Sequence, residues 1–231
     1  MIKESLEQVQ NKITAACERV GRDPSEVTLI AVSKTKPNAT LMEAYQAGAR
    51  VFGENKVQEL VGKIEALPSD IEWHMIGHLQ RNKVKYIAGK VAMIHSVDSF
   101  RLAEEINIQA KKRGIIIPIL IEVNIGEENS KFGVLAEDTP ELVRQAAELD
   151  GISIKGLMTI APYVVDPEEN RPLFHKIKDL SLDIEREKLD NVSMHVLSMG
   201  MTNDYEVAVE EGATMVRVGT AIFGERDYNK G

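Results

Sequence analysis

The 231-residue chain holds a single cysteine, Cys17. That excludes an internal disulfide and any fold stapled by one, and it suits a reducing compartment. Basic residues are outnumbered, 28 Lys and Arg against 36 Asp and Glu, for a net charge of −8. A face that binds nucleic acid is normally basic, so no nucleic-acid partner is expected. A small anion is still admissible, because a local site can oppose the global charge. No apolar run approaches the ~20 residues of a membrane helix. The opening "MIKESLEQVQ" lacks the apolar core of a secretion signal. The reading is a soluble, cytoplasmic protein without a membrane partner.

Hydrophobic residues make up 43% of the chain, enough for a sizeable core. Leu6, Val9, Ile13, Cys17 and Val20 recur at helical spacing and predict a first helix over 4–20, with Cys17 a buried core thiol. Short apolar runs predict strands at 27–33, 51–53, 72–76, 91–95, 117–123, 152–157, 194–198 and 214–218. Helices are predicted between them at 38–47, 55–66, 80–88, 99–113, 140–149, 168–186 and 204–210, with a short one from 221. Asp166-Pro167 and Thr139-Pro140 pair an N-cap with a first-turn proline. Asn203 with Glu206 resembles a capping box, and Gly114 and Gly212 mark helix ends.

The runs "IIIPILIEV" and "MHVLS" are near-continuously apolar, as strands covered on both faces are. Eight strand–helix units predict an α/β fold, a single (β/α)8 TIM-type barrel with an extra N-terminal helix. An open doubly wound sheet is the alternative, and eight regular units favour closure. No linker or composition shift divides residues 1–231, so one domain is expected. No heptad or long apolar stripe demands a dimer, so a monomer is expected.

Barrels of this kind build their sites at the C-terminal ends of the strands. The first predicted strand ends at Lys34 in "AVSKTKP", an amine placed directly after a buried run. The second runs into Gly53-Glu54-Asn55, the third into Gly77-His78, the fourth into Ser96-Val97-Asp98. The fifth ends in Glu122-Val123-Asn124 and the sixth in Met158-Thr159. The seventh ends in Ser198-Met199-Gly200-Met201-Thr202 and the eighth in Arg217-Val218-Gly219-Thr220. The last two are small, hydroxyl-bearing loops that open helices. Backbone N–H groups there, with Ser and Thr hydroxyls, bind phosphate. Tight-turn chemistry alone explains the glycines equally well.

A strand-end lysine facing a phosphate cradle points to a Schiff base with a phosphorylated aldehyde, of which pyridoxal 5′-phosphate is the common one. Arg217, on the otherwise apolar "TMVRVG", needs an acceptor if buried. A structural carboxylate serves, and so does the pyridine nitrogen of the cofactor. An arginine there donates a hydrogen bond without protonating the ring, which suits a carrier or a racemase better than an aminotransferase. Lys36 is either solvated or electrostatic in role.

"AVSKTKP", "FGEN" with "VQE", "WHMIGHLQRNK", "HSVDS", "VNIGEENSKFG", "GLMTIAP", "LSMGMTND" and "VRVGTAIFGER" together resemble the pyridoxal phosphate homeostasis protein family, itself similar to the N-terminal domain of alanine racemase. The resemblance runs in order along essentially the whole chain. It implies a cofactor-binding barrel in which Lys34 carries the Schiff base and Arg217 faces the pyridine nitrogen. Ser198, Gly219 and Thr220 hold the phosphate, Asn55 lies beside the cofactor and Met158 lines the pocket. Lys36 and Lys131 correspond to further family lysines affecting cofactor handling, with His78, Met199 and Gly200 as further accessory candidates. Thr202 stands where a serine is common, and the hydroxyl is kept.

Two functions are weighed, and the first is favoured. One is a non-catalytic carrier that buffers the cofactor and passes it to apo-enzymes. The other is a small amino-acid racemase, which needs acid–base groups on both faces of Cα. Racemases similar to this family take the second group, a tyrosine, from a further domain, and no such domain is expected before the end at Gly231. Tyr45, Tyr86 and Tyr205 fall in predicted helices, with surface-packing roles. Tyr163 follows the sixth strand within reach of the site, and Tyr228 is the last of the five tyrosines. His74 and His78 are four apart but lack the companions of a zinc motif, so no metal is expected. His95 reads as a satisfied core histidine and Asp98 as a helix cap.

Overall fold

The computed structural model describes residues 1–128 and 131–225. The heptad-like apolar spacing at the N-terminus folds as α1 (Ile2–Arg19), which buries Leu6, Val9, Ile13 and Cys17. Val20 falls outside the helix and is exposed. The remaining apolar runs are β1 (Thr28–Val32), β2 (Val51–Glu54), β3 (Glu72–Met75), β4 (Met93–Val97), β5 (Ile117–Asn124), β6 (Val134–Leu135), β7 (Ile152–Thr159), β8 (Val192–Met201) and β9 (Met215–Val218). The helices between them are α2 (Asn38–Gln46), α3 (Val57–Ala66), α4 (Val84–Ile87), α5 (Phe100–Arg113), α6 (Thr139–Ala147), α7 (Arg171–Glu185), α8 (Tyr205–Glu210) and α9 (Thr220–Phe223).

The strands pair in parallel in the order β4-β3-β2-β1-β9-β8-β7-β5, and β4 also pairs with β5, which closes an eight-stranded barrel. Closure, the α/β class and the extra N-terminal helix are as the sequence predicts. The two-residue β6 lies beside β5 and was not expected. It forms because Gly133, at φ 109°, brings its backbone against β5: a Cβ there would lie 2.6 Å from the Asn124 nitrogen.

Boundaries moved where polar side chains occupy the interior. The fourth strand runs over Met93–Val97 rather than 91–95, because His95 and Ser96 continue the ladder. β8 extends through "SMGM", with an irregular register against β9 between Ser198 and Met201. Two predicted helices open in tighter 3₁₀ turns, at Arg81–Lys83 and Pro167–Asn170. Asp166 caps as expected, accepting from the Glu168 N–H at 3.0 Å. Thr139 does not: Asp138 holds the N-cap position, and the Thr139 hydroxyl donates to the Leu135 carbonyl at 2.9 Å. Asn203 yields its expected cap to Asp204 and donates to the Val164 carbonyl instead. Gly114 ends α5 in the left-handed region at φ 64°.

Period-two alternation sorts each strand between two cores. The larger core lies between barrel and helices and includes Phe52, Leu60, Ile106 and Phe174. The smaller fills the barrel interior with Met93, Leu120 and Met158. His74, His95, Glu122, Ser198 and Arg217 share the inward parity with these residues and are buried.

Gly156 shows how tightly the barrel wall is drawn. A Cβ there would sit 1.7 Å from the Val196 carbonyl oxygen of the adjacent strand. Gly156→Ala should therefore destabilise by roughly 3 kcal/mol or more, read as a drop in the urea midpoint; an unchanged midpoint would contradict this packing.

Candidate cofactor site at the barrel mouth

A cavity of about 580 Å³ opens at the C-terminal ends of the strands, within the usual size of a small-ligand pocket. Lys34 enters it after β1, Asn55 after β2 and Tyr163 after β7, with Thr202 and Asn203 after β8 and Arg217, Gly219 and Thr220 from β9 and its turn. Another hollow, of about 420 Å³, sets Glu127, Glu137, Asp179 and Asp183 against the single cation Lys176 and is unsuited to an anion.

Arg217 is 3% exposed. Its Nη1 donates to Ser198 Oγ at 2.6 Å and its Nη2 to the Thr159 carbonyl at 2.8 Å. Ser198 Oγ also meets His95 Nδ1 at 3.0 Å, and His95 Nε2 meets His74 Nδ1 at 2.8 Å. Burial drives His74 down to about 4 and His95 well below the ordinary histidine value, the latter helped by His74 and Arg217. Both rings are therefore neutral near pH 7. One consistent proton arrangement has Ser198 donating to His95 and His95 to His74, which leaves a lone pair of Ser198 facing Arg217. Burial also lowers Arg217 to about 10, while Glu122 and Asp204 oppose that shift, so it stays charged. Glu122 is raised to about 7, by burial first and then by Asp98.

Two residues beyond Arg217 the β9–α9 turn approaches β1 closely. A Cβ on Gly219 would lie 3.3 Å from both the Val32 Cβ and the Val32 carbonyl oxygen. Glycine there lets the start of α9 stand beside Lys34. The wall combines backbone N–H groups with the hydroxyl-bearing Thr220 and Thr202, a phosphate-binding chemistry. The cavity thus joins an amine, a buried guanidinium and an anion cradle.

Comparison with known proteins agrees with this chemistry. The family described as "Alanine racemase, N-terminal domain" matches residues 5–227. A pyridoxal phosphate homeostasis protein of Aquifex aeolicus is 50% identical over 97% of this chain and 98% of its own length. The Escherichia coli protein of the same name is 42% identical over 99% of this chain and 98% of its own. The structure of PipY from Synechococcus elongatus with PLP bound superposes with a TM-score of 0.82 at 36% identity, covering 97% of this chain and 100% of that one. The chain belongs to the pyridoxal phosphate homeostasis protein family.

Of the residues that the family's motifs single out, Lys34, Asn55, Arg217, Gly219 and Thr220 line the cavity. Ser198 does not reach it. Its hydroxyl is fully buried between Arg217 and His95, so the hydroxyl available at the end of β8 is that of Thr202. Met158 lies in the interior core, outside the cavity wall. Met199 points outward into the larger core, and Gly200, at φ 91°, packs its backbone against α8. Lys36 is not part of that cavity wall but lines a small adjoining hollow with Lys34, Gly219 and Thr220, and its Nζ donates to the carbonyls of Phe223, Gly224 and Glu225 at 2.9, 3.1 and 3.0 Å.

Lys131 pairs with Glu128 at 2.7 Å. His78 stacks on Phe132 at 3.8 Å between centroids, outside the cavity wall, with its Nδ1 3.6 Å from Asp98. Asp98 is not the helix cap; Ser99 holds that position. Tyr205 is buried rather than a surface-packing residue, Tyr163 is 86% exposed at the rim, and Tyr228 lies outside the described residues.

His95 is the satisfied core histidine expected; sequence reasoning missed the burial of Glu122, although a charged residue inside a buried strand is a readable signal. The pH dependence tests their environment. A carboxyl raised in the folded state favours folding below its unfolded value, and that contribution is lost as pH rises toward about 7. The lowered histidines act oppositely, favouring folding above their unfolded value and losing that contribution on acidification. Glu122→Gln should thus gain stability relative to the parent as pH rises from about 4.5 to about 7, by up to ~3 kcal/mol. Urea unfolding at pH 5 and pH 8 measures it; a pH-independent difference would contradict the assignment.

Proposed function

We propose that this chain binds pyridoxal 5′-phosphate in the barrel-mouth cavity, holds it reversibly through Lys34 and serves cofactor homeostasis rather than catalysis. The convergence of Lys34, Arg217 and the Gly219–Thr220 turn on one cavity carries the reading. The cavity suits the group in size, in positive charge and in its backbone cradle. Gly219, Thr220 and Thr202 would hold the phosphate, Arg217 would donate to the ring nitrogen, and Lys34 would supply the amine. When bound, the cofactor would supply an aldehyde with which that amine can condense reversibly.

Arg217 enters this site already oriented by Ser198 and Thr159, so it donates without reorganisation. It also retains its proton near neutrality, which leaves the ring a poor electron sink. The carrier reading is further supported by the acid–base groups around the cavity. Lys34 follows a well-packed strand, whereas Tyr163 stands almost wholly in solvent. Racemisation needs a second group held on the opposite face. The names of the relatives support the same reading. We take the protein to act as a cytoplasmic monomer that passes its cofactor to apo-enzymes.

With added pyridoxal 5′-phosphate the wild type should develop a visible absorbance band that Lys34→Ala lacks, and borohydride with peptide mapping should mark Lys34. Absence of the band at excess cofactor would refute the binding reading. Alanine in D2O with the loaded protein should exchange its Cα proton no faster than with free cofactor; exchange well above that would restore the racemase.

A further inference from the structure

Lys34 lies between two residues that are held unusually firmly. Ser33 is fully buried. Its N–H donates to the Gly53 carbonyl at 3.0 Å, its hydroxyl donates to Glu54 Oε1 at 2.7 Å, and its carbonyl accepts from Lys63 Nζ at 2.8 Å. Thr35 sits at φ 64°, a left-handed conformation that costs a β-branched residue free energy. Its N–H donates to Glu59 Oε2 at 2.9 Å. Glu54, at the end of β2, forms a buried ion pair with Lys63 of α3. Glu59 is one helical turn before Lys63 on α3 and lies 3.5 Å from its Nζ. One carboxylate–ammonium–carboxylate cluster therefore grips the backbone on both sides of Lys34.

Stability alone does not account for this cluster. Glu54 is fully buried, and among the described residues its Oε2 has no hydrogen-bond partner. Such an atom is costly to bury. A buried ion pair commonly stabilises no better than packed apolar residues of the same size. Here the cost falls at the one place that aims the cavity lysine, and it sustains a strained residue next to that lysine. Backbone strain of this kind persists only where surrounding contacts over-determine it.

We propose that Glu54, Glu59 and Lys63 are positioning residues for Lys34, setting the angle at which its amine meets an aldehyde held in the cavity. This rests on the cofactor reading above. Because none of the three lines the cavity, they govern bond formation at Lys34 and leave recognition of ring and phosphate alone.

Two variants and one rescue test it. Glu59→Gln removes one charge from a partly exposed side chain. The double variant Glu54→Gln/Lys63→Met replaces the buried pair without stranding a buried charge, leaving only the partly exposed Glu59 without its ammonium. Each is loaded with pyridoxal 5′-phosphate, reduced with borohydride and quantified for modified Lys34. Affinity is measured separately by calorimetry with pyridoxine 5′-phosphate, which has the ring and phosphate but no aldehyde.

Trapping at Lys34 should fall about threefold or more in both, since misaligned reacting groups lose rate steeply, while affinity for the aldehyde-free probe stays within about twofold. Thr35→Asn, which tolerates the left-handed region, should recover part of the loss in Glu59→Gln. Unchanged trapping in both variants overturns the proposal, as does a parallel loss of affinity for the probe. A wild type that traps no cofactor removes the underlying reading. Wild-type trapping matched by both variants removes the positioning role alone.

Discussion

A guanidinium inside the barrel is the constraint around which this structure is arranged. Removing Arg217 from water costs several kcal/mol unless its donors are met. Among the described residues no carboxylate pairs with it directly, and its partners are a serine hydroxyl and a backbone carbonyl. The serine needs His95 and His95 needs His74, so one buried charge orders a polar chain from β9 through β8 and β4 to β3. Only a closed barrel brings β4 and β8 face to face across its interior. The neutrality of both histidines follows from the same burial and keeps Arg217 the one firm charge in that chain.

The local charge at the mouth runs against the charge of the whole chain. A net charge of −8 repels anions at long range. Arg217 and the backbone cradle reverse this over a few ångströms, where low-dielectric walls concentrate their field. Elsewhere the surface carries acidic groups, as in the hollow walled by Glu127, Glu137, Asp179 and Asp183.

The loop after β1 shows how two distant segments set a single side chain. α3 holds Ser33 and Thr35 through Lys63 and Glu59. Lys36 binds the carbonyls that end α9, tying the same loop to the turn that begins at Gly219. The amine and the anion cradle are thus fastened to each other as well as to the barrel. Lys36 accordingly acts in the structure as a tie between loop and helix, a role its position beside a proline did not reveal.

The eight-unit alternation of apolar runs and helical spacings was legible in the sequence, because burial on both faces of a parallel strand leaves nearly every position apolar. Lys34, Asn55, Arg217, Gly219 and Thr220 were legible for a related reason: the strand ends are where such a barrel places its polar residues. Ser198 was legible only as a strand-end hydroxyl, since such a group looks the same whether it faces the cavity or the interior, and its parity in an irregular β8–β9 register set it in the interior. Lys63 carried no signal, because a lysine on an amphipathic helix reads as solvated until Glu54 and the Ser33 carbonyl are seen above it. The sequence by itself determined the strand and helix periods, because those depend on side chains a few residues apart. The tertiary structure alone decided which polar groups are paired in the dark interior and which face the cavity, because those partners are separated by as many as 103 residues and meet only on barrel closure.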